Sequence, residues 1–268
     1  MTSLYNTDYL KHLCQKFSLV PSKKYGQNFL IDEEPVLKML EAGEVENNDT
    51  VVEVGPGFGV LTLALAEKAK KVISYEIEKR LELYWQEQMA NHKNIEIIWG
   101  NVLNQNINLE KYKVIANLPY QITSNVIRKF LEAANKPECM VLMVQKEVAE
   151  RICAPAGDMS VLSVSVQYYA EPEIIAQVPR SYFWPVPGVD SAVIKIKNIK
   201  PDTASEEFFK IVKAGFANRR KMLIKNLSAI TDKKKLPEIF KGLGISEKVR
   251  AQELSVGQWR QLVAKLSF

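Results

Sequence analysis

Residues 51–59 read VVEVGPGFG, and the ten that follow, 60–69, read VLTLALAEKA. A short apolar run passes directly into a glycine-rich turn and then into apolar residues spaced as in a buried helix, which predicts strand, turn and helix in succession. Gly55, Gly57 and Gly59 carry no Cβ, so the turn's backbone can approach a ligand closely. The pattern is close to the dinucleotide-binding fingerprint, but proline stands at position 56 and the full spacing is missing. Taken alone, such a turn serves equally well as a plain structural element.

The next apolar run, KVISYE (71–76), ends on Glu76. A carboxylate at a strand end about twenty residues beyond a glycine turn can accept hydrogen bonds from two ribose hydroxyls. A surface acid pairing with Lys79 or Arg80 is the simpler alternative. Together, strand, glycine turn, helix, strand and acid fit a ribose-bearing cofactor, NAD or S-adenosylmethionine. A pyrophosphate would call for more helix-terminus amides and an unmodified GxGxxG, whereas the short GPGFG loop suits an amino-acid moiety better.

Strand-like runs recur at IEIIW (95–99), KVIANL (113–118) and ECMVLMVQ (138–145), each separated by helix-compatible sequence such as EKRLELYWQEQMA (78–90). This alternation predicts an α/β fold with a mostly parallel sheet covered on both faces. EIIAQVP (173–179) and SAVIKIK (191–197) have only RSYFWPVPGVD between them, so the sheet is expected to end in an antiparallel, hairpin-like pair. After NIKPDTAS (198–205) the pattern is helical only. Two domains are expected: residues 1–200, opening with a short amphipathic helix, and a small all-helical domain over 201–268.

Among 268 residues, 47% are hydrophobic and 25% charged, an ordinary globular composition. Cys14, Cys139 and Cys153 are scattered without a C-x-x-C pair, and only two histidines occur. That argues against a zinc site or a disulfide framework and for a reducing compartment. With no signal-peptide pattern at the N-terminus and no apolar run of membrane-spanning length, a soluble cytoplasmic protein without bound metal is expected. Charge is uneven: Lys200–Phe268 holds 15 basic and 7 acidic residues, a net of +8, while the remainder has a net of −3. A basic segment on a near-neutral body suggests an anionic partner, although a solvated helical face accounts for the same composition.

NLPYQITSNVIRKF (117–130) follows the strand candidate ending in VIAN. Beside a cofactor cradle, this stretch suits methyl transfer to an amino nitrogen on a base. The lone pair of adenine N6 is delocalised into the ring. Acceptors on its two hydrogens, the Asn117 side-chain oxygen and the Leu118 carbonyl, would draw it toward tetrahedral geometry and free that pair. Pro119 locks its own φ, and Tyr120 offers a flat face for a flipped-out base. The alternative is that Asn117 caps the following helix while Pro119 and Tyr120 shape a turn.

The segments KKYGQNFLID, VVEVGPGFGVLT, NLPYQITS, QKEVAERI, FWPVPGVDSAV, FANRRKML and RAQELSVGQW together resemble the KsgA family, the 16S ribosomal RNA adenine dimethyltransferases, over nearly the whole chain and in the family's order. The resemblance implies a Rossmann-like, S-adenosylmethionine-dependent methyltransferase domain followed by a small helical domain. It implies that Asn28, Leu30, Gly55, Glu76, Asn101 and Asn117 surround the cofactor, with Gly57 in the same turn. It makes Phe183 a second aromatic wall opposite Tyr120, and directs Arg219, Arg220 and Lys221 toward RNA phosphates. The implied substrate is a pair of adjacent adenosines near the 3′ end of small-subunit rRNA, in the pre-30S particle, with the enzyme acting as a monomer. Alternative readings remain: Asn28 as a helix cap, although Asp32 is better placed; Phe183 as a core aromatic; and the Arg-Arg-Lys triplet as helix surface.

Three departures from the family's pattern stand out. Asn101 occupies the place of an acid that would accept from the cofactor's adenine amino group, which predicts weakened cofactor binding. Glu78 replaces a more usual Asp, with little effect expected. APAGDMSVLSV (154–164) lacks the tyrosine, glycine and arginine that commonly precede LSV. The competing functions are an Erm-type 23S rRNA adenine methyltransferase, which shares GQNFL and NLPY, and a non-catalytic ribosome assembly factor.

Overall fold

The computed structural model describes residues 4–22, 26–201 and 206–266. The first residues of KKYGQNFLID (23–25) and part of the expected linker (202–205) lie outside them. The chain forms two compact units, residues 1–149 with 172–199, and residues 150–171 with 200–268.

The first unit begins with α1 (Thr7–Lys16), capped by Asn6, whose side chain accepts from the Asp8 and Tyr9 amides. Its apolar stripe of Leu10, Leu13 and Cys14 is buried. The two-residue strand β1 (Phe29–Leu30) and α2 (Glu34–Gly43) follow. Asp32 accepts from the Glu34 amide at the start of α2, so the helix entry is secured by Asp32 and not by Asn28. Then come β2 (Thr50–Val54), α3 (Val60–Ala66), β3 (Lys71–Glu76), α4 (Glu82–Asn91), β4 (Ile95–Trp99), β5 (Lys113–Asn117), α5 (Thr123–Leu131) and β6 (Met140–Gln145). α6 (Lys146–Ile152) and α7 (Val161–Tyr169) precede β7 (Glu171–Val178), the two-residue β8 (Phe183–Trp184) and β9 (Ser191–Lys197).

The main sheet has the order β4-β3-β2-β5-β6-β9-β7. β2, β3, β4, β5 and β6 are parallel, and β9 runs antiparallel to β6. This is the mixed α/β sheet expected from the alternating pattern. Val51, Val72, Ile115, Val141 and Val193 join α2 and α3 in one apolar core. Their strand neighbours Val52, Val114, Leu142 and Ile194 point the other way and are equally buried, so both faces are covered. RSYFWPVPGVD was expected to be a bare connector. Instead its Phe183 and Trp184 pair antiparallel with Leu30 and Phe29 in a separate two-stranded ribbon.

Register decides where a ligand can sit. Val54 lies beside Tyr75 and Val52 beside Val114. Continuing those ladders brings Gly55, Glu76 and Asn117 to one carboxyl edge of the sheet. The chain turns from β2 toward β3 on one side and later returns as β5 on the other, so this edge is the topological switch point of the sheet, the usual crevice of such folds.

The second unit holds α7 and the end of α6 together with α8 (Glu206–Gly215), α9 (Leu223–Leu227), α10 (Leu236–Gly242) and α11 (Val256–Leu266). Phe208, Val212, Leu223, Leu227, Phe240, Trp259 and Leu262 form its core, and Met159 and Val164 of the 150–171 segment pack among them. The division at 200–201 expected from the loss of strand pattern therefore does not separate all the helical packing: residues 150–171 go with the helices because their apolar side chains find partners there.

Candidate active site

The turn after β2 takes a backbone path that only glycines follow without strain: Gly55, Gly57 and Gly59 have φ of 74°, 56° and 85°. The Gly55 amide donates to the Tyr75 carbonyl at 2.9 Å, tying the turn to β3. The turn is also fixed from outside. The Trp85 indole of α4 donates to the Gly57 carbonyl at 3.0 Å, and Tyr84 donates to the Phe58 carbonyl at 2.6 Å. A Cβ at Gly59 would lie 2.7 Å from the Trp85 ring, and one at Gly57 would lie 3.3 Å from Phe29.

Glu76 is 4% exposed. One carboxylate oxygen accepts from the Ile77 and Glu78 amides at 2.7 and 2.8 Å, and the other from the Gly57 amide at 3.2 Å. Burial pushes its pKa up, against the pull of these amides. It pairs with neither Lys79 nor Arg80; the Arg80 guanidinium instead forks onto Glu78 at 2.7 and 2.6 Å and lowers the pKa of that carboxyl. A carboxylate has about four acceptor positions, and the three amides leave one of them on the Gly57-bound oxygen. Glu76 thus both braces the glycine turn and retains acceptor capacity on the oxygen that faces it.

Asn28, Leu30, Gly55, Gly57, Glu76, Asn117, Leu118, Tyr120 and Phe183 all line one open cleft, together with Glu53, Pro119 and Phe29. Its cavity volume is about 110 Å³, and it opens to solvent at its mouth. Asn101 lies apart from this group, in an adjoining hollow walled by Val54, Tyr75, Ile77, Val102, Pro119 and Ile122. Its side-chain oxygen accepts from the Leu103 amide at 3.0 Å, so part of the acceptor capacity expected for an adenine amino group is engaged within the chain. Mostly apolar walls with one polar edge suit a flat heterocycle, while the adjacent glycine turn and buried Glu76 suit a ribose and an amino-acid tail. The residues fit a nucleoside-bearing cofactor.

Asn117 ends β5. It does not cap the next helix, whose N-cap is Ile122. Its side-chain amide makes no hydrogen bond among the described residues, which leaves it available to a ligand. Leu118 is held by its amide, which donates to the Met143 carbonyl at 3.1 Å. Tyr120 is half-buried on the cleft wall, its hydroxyl 2.8 Å from Ser191 Oγ. Phe183 is 1% exposed and packs in the same core as Leu30. It therefore reaches the cleft with little of its ring uncovered.

Arg219, Arg220 and Lys221 belong to the second unit, where they form an exposed loop between α8 and α9 and not a helix face. Buried Asn226 braces this loop by donating to the Gly215 and Asn218 carbonyls at 2.6 and 3.0 Å. Arg219 is paired with Asp158 at 2.6 Å. In the shortened 154–164 stretch, the Gly157 and Met159 amides donate to the Gln252 carbonyl.

The sequence reading missed Glu53. It is 2% exposed in the middle of a buried strand, accepts from Thr62 and Ser74 hydroxyls at 2.6 and 2.7 Å, and burial pushes its pKa up to about 7. A charge inside the otherwise apolar VVEV was the available signal. Among the described residues no helix is long and apolar enough to cross a membrane, and no cluster of His, Cys, Asp and Glu could hold a metal ion.

A family profile described as ribosomal RNA adenine dimethylase matches residues 21–267. The ribosomal RNA small subunit methyltransferase A of Dehalococcoides mccartyi is 40% identical, covering 94% of this chain and 90% of its own. Its counterpart in Fusobacterium nucleatum is 40% identical, covering 90% and 96%. Among solved structures, a dimethyladenosine transferase from Plasmodium falciparum superposes with a TM-score of 0.80 at 26% identity, covering 89% of this chain and 97% of the other. The 23S rRNA methyltransferase ErmE gives 0.73 at 28% identity, covering 90% and 100%.

Proposed function

The chain belongs to the ribosomal RNA adenine dimethylase family, and from that premise we propose that it transfers methyl groups from S-adenosylmethionine to N6 of two adjacent adenosines near the 3′ end of small-subunit rRNA, in the pre-30S particle. The observation that carries the chemistry is the unpartnered Asn117 amide at a strand end, in one cleft with Tyr120, the glycine turn and buried Glu76. Higher identity to small-subunit enzymes than to ErmE favours the small-subunit substrate.

Bound S-adenosylmethionine supplies an electrophilic methyl group on sulfur. Glu76 would accept from its ribose, the Gly55–Gly59 turn would admit its amino-acid portion, Asn28 and Leu30 would close over it, and Asn101 would meet its adenine edge. Asn117 Oδ1 and the Leu118 carbonyl accept from the two N6 hydrogens of the target base, which concentrates the nitrogen lone pair on the side facing the methyl group. Tyr120 supplies a stacking face, and Phe183 backs the pocket from the opposite segment. The amine needs no prior deprotonation; its proton leaves to water after the new N–C bond forms. Positioning and oriented acceptors do the work. The helical unit, residues 201–268 with 150–171 packed among its helices, offers Arg220 and Lys221 to phosphates.

The test is transfer of labelled methyl to undermethylated 30S particles and, in parallel, to 50S particles, with Tyr120→Ala as control. Incorporation into 30S alone, lost in the variant, is expected. Labelling of 50S alone would assign the Erm-type activity, and no labelling by the intact protein would assign a binding role in assembly.

A further inference from the structure

Tyr120 is tethered by its far end. Its hydroxyl lies 2.8 Å from the Oγ of Ser191, either oxygen being able to donate. Ser191 is the first residue of β9 and is 0% exposed. Its Cα partner is Gln145 at the end of β6, and β6 in turn pairs with β5, which delivers Asn117. The residue before it is pinned as well: an Asp190 carboxylate oxygen accepts from the Arg180 amide at 2.9 Å, and the Asp190 carbonyl accepts from the Lys146 amide at 3.0 Å. Ser191 therefore sits on a rigid strand start, and its hydroxyl has no other hydrogen bond among the described residues. The same 180–191 segment carries Phe183.

A stacking wall needs only a ring, and phenylalanine would provide one. The tyrosine hydroxyl has a use if it fixes where the ring stands, because a ring free to change χ1 would not keep one face turned to the cleft. We propose that Ser191 is a positioning residue for methyl transfer: it holds the Tyr120 hydroxyl so that the ring face stays open at a fixed distance from Asn117 and from the segment bearing Phe183. The hydroxyl is an anchor and takes no part in proton transfer. Burial raises the Tyr120 pKa, the neighbouring Asp190 charge adds to the rise, and the bond to Ser191 only partly offsets it, so the phenol stays protonated at neutral pH. The inference rests on Tyr120 serving as the base platform, and the experiment separates the two ideas.

Ser191→Ala, Tyr120→Phe, the double variant and Tyr120→Ala are compared with the intact chain by steady-state methylation of undermethylated 30S particles and by calorimetric titration with S-adenosylmethionine. Losing one hydrogen bond that organises the acceptor predicts that Ser191→Ala and Tyr120→Phe each lower kcat/KM by roughly threefold to tenfold, mainly through kcat. The double variant should be no worse than either single one, and cofactor affinity should be unchanged. Tyr120→Ala should be far more damaging. Single effects that multiply in the double variant, or a Ser191→Ala enzyme with normal kcat beside an inactive Tyr120→Ala, would overturn the anchoring role while leaving the platform intact. A fully active Tyr120→Ala would overturn the platform and the anchor together. Should Ser191→Ala fail to fold, Tyr120→Phe breaks the same bond from the loop side, and normal kcat there overturns the proposal.

Discussion

Replacing Glu53 by glutamine should change how stability depends on pH. Its carboxyl is 2% exposed, accepts from two hydroxyls, and is raised from 4.5 to about 7 by burial, opposed by the hydrogen bonds from Thr62 and Ser74 and increased by the charge of Glu76. A carboxyl whose folded pKa exceeds its unfolded value binds its proton more tightly in the fold. Its stabilising contribution is complete below pH 4.5 and is lost as pH rises through about 7. A folded value of about 7 against 4.5 in the unfolded chain corresponds to about 3 kcal/mol. The difference in unfolding free energy, intact chain minus Glu53→Gln, should therefore fall by about 3 kcal/mol between roughly pH 4.5 and pH 8. Urea unfolding followed by far-ultraviolet dichroism measures it, with separate transitions fitted if the two units part. Glu76 titrates in both proteins and largely cancels. A difference that stays flat, or grows with pH, would refute a buried and proton-retaining Glu53.

Other perturbations follow from the same geometry. Gly59→Ala places a methyl 2.7 Å from a Trp85 ring that is itself fixed by its bond to Gly57, at a φ of 85°; a loss of about 2–4 kcal/mol is expected in chemical denaturation. Asn117→Ala, which breaks no hydrogen bond within the described chain, should leave the melting temperature unchanged while methyl transfer to 30S particles falls by at least about a hundredfold. Asn101→Asp restores a charged acceptor and should tighten S-adenosylmethionine by roughly fivefold in calorimetry; an unchanged affinity would count against the adenine-edge role. Exchanging Arg220 and Lys221 for glutamate should weaken 30S binding and flatten its salt dependence, more than Arg219→Gln does, since Arg219 is already paired with Asp158.

What the sequence made legible were features whose partners are close along the chain or repeat with a clear period. The glycine turn, the acid ending KVISYE and the asparagine after KVIA each announce a strand end, and parallel pairing then brings three strand ends together. What stayed hidden depends on distant packing. Phe29–Leu30 and Phe183–Trp184 are too short to show a strand period, so their ribbon emerges only once the fold juxtaposes them. The turn's outer brace comes from Trp85, on a helix whose sequence shows only helical spacing. Residues 150–171 join the helical unit because Met159 and Val164 meet apolar partners far along the chain. Tyr120 was legible as an aromatic face, but its tether to Ser191 was not, since nothing local links positions 120 and 191.

Two buried carboxylates, Glu53 and Glu76, line the same cleft, and each sits where burial penalises its charge. A fold seeking stability alone would avoid that pairing, because uncharged residues at both positions would remove a desolvation cost and a repulsion. The pair makes sense if the cleft receives a cation. Under the proposed function, a sulfonium donor carrying an amino-acid ammonium would lower these raised carboxyl pKa values behind the glycine turn and meet a neutral amide, Asn117, in front of it. Charge then sits on the cofactor side and uncharged acceptors on the base side. An ionised group in place of Asn117 would hold the donor as a salt partner and compete with the base for it. On the proposed function, the division between buried acids and an unpartnered amide would be the electrostatic counterpart of separating cofactor binding from base recognition.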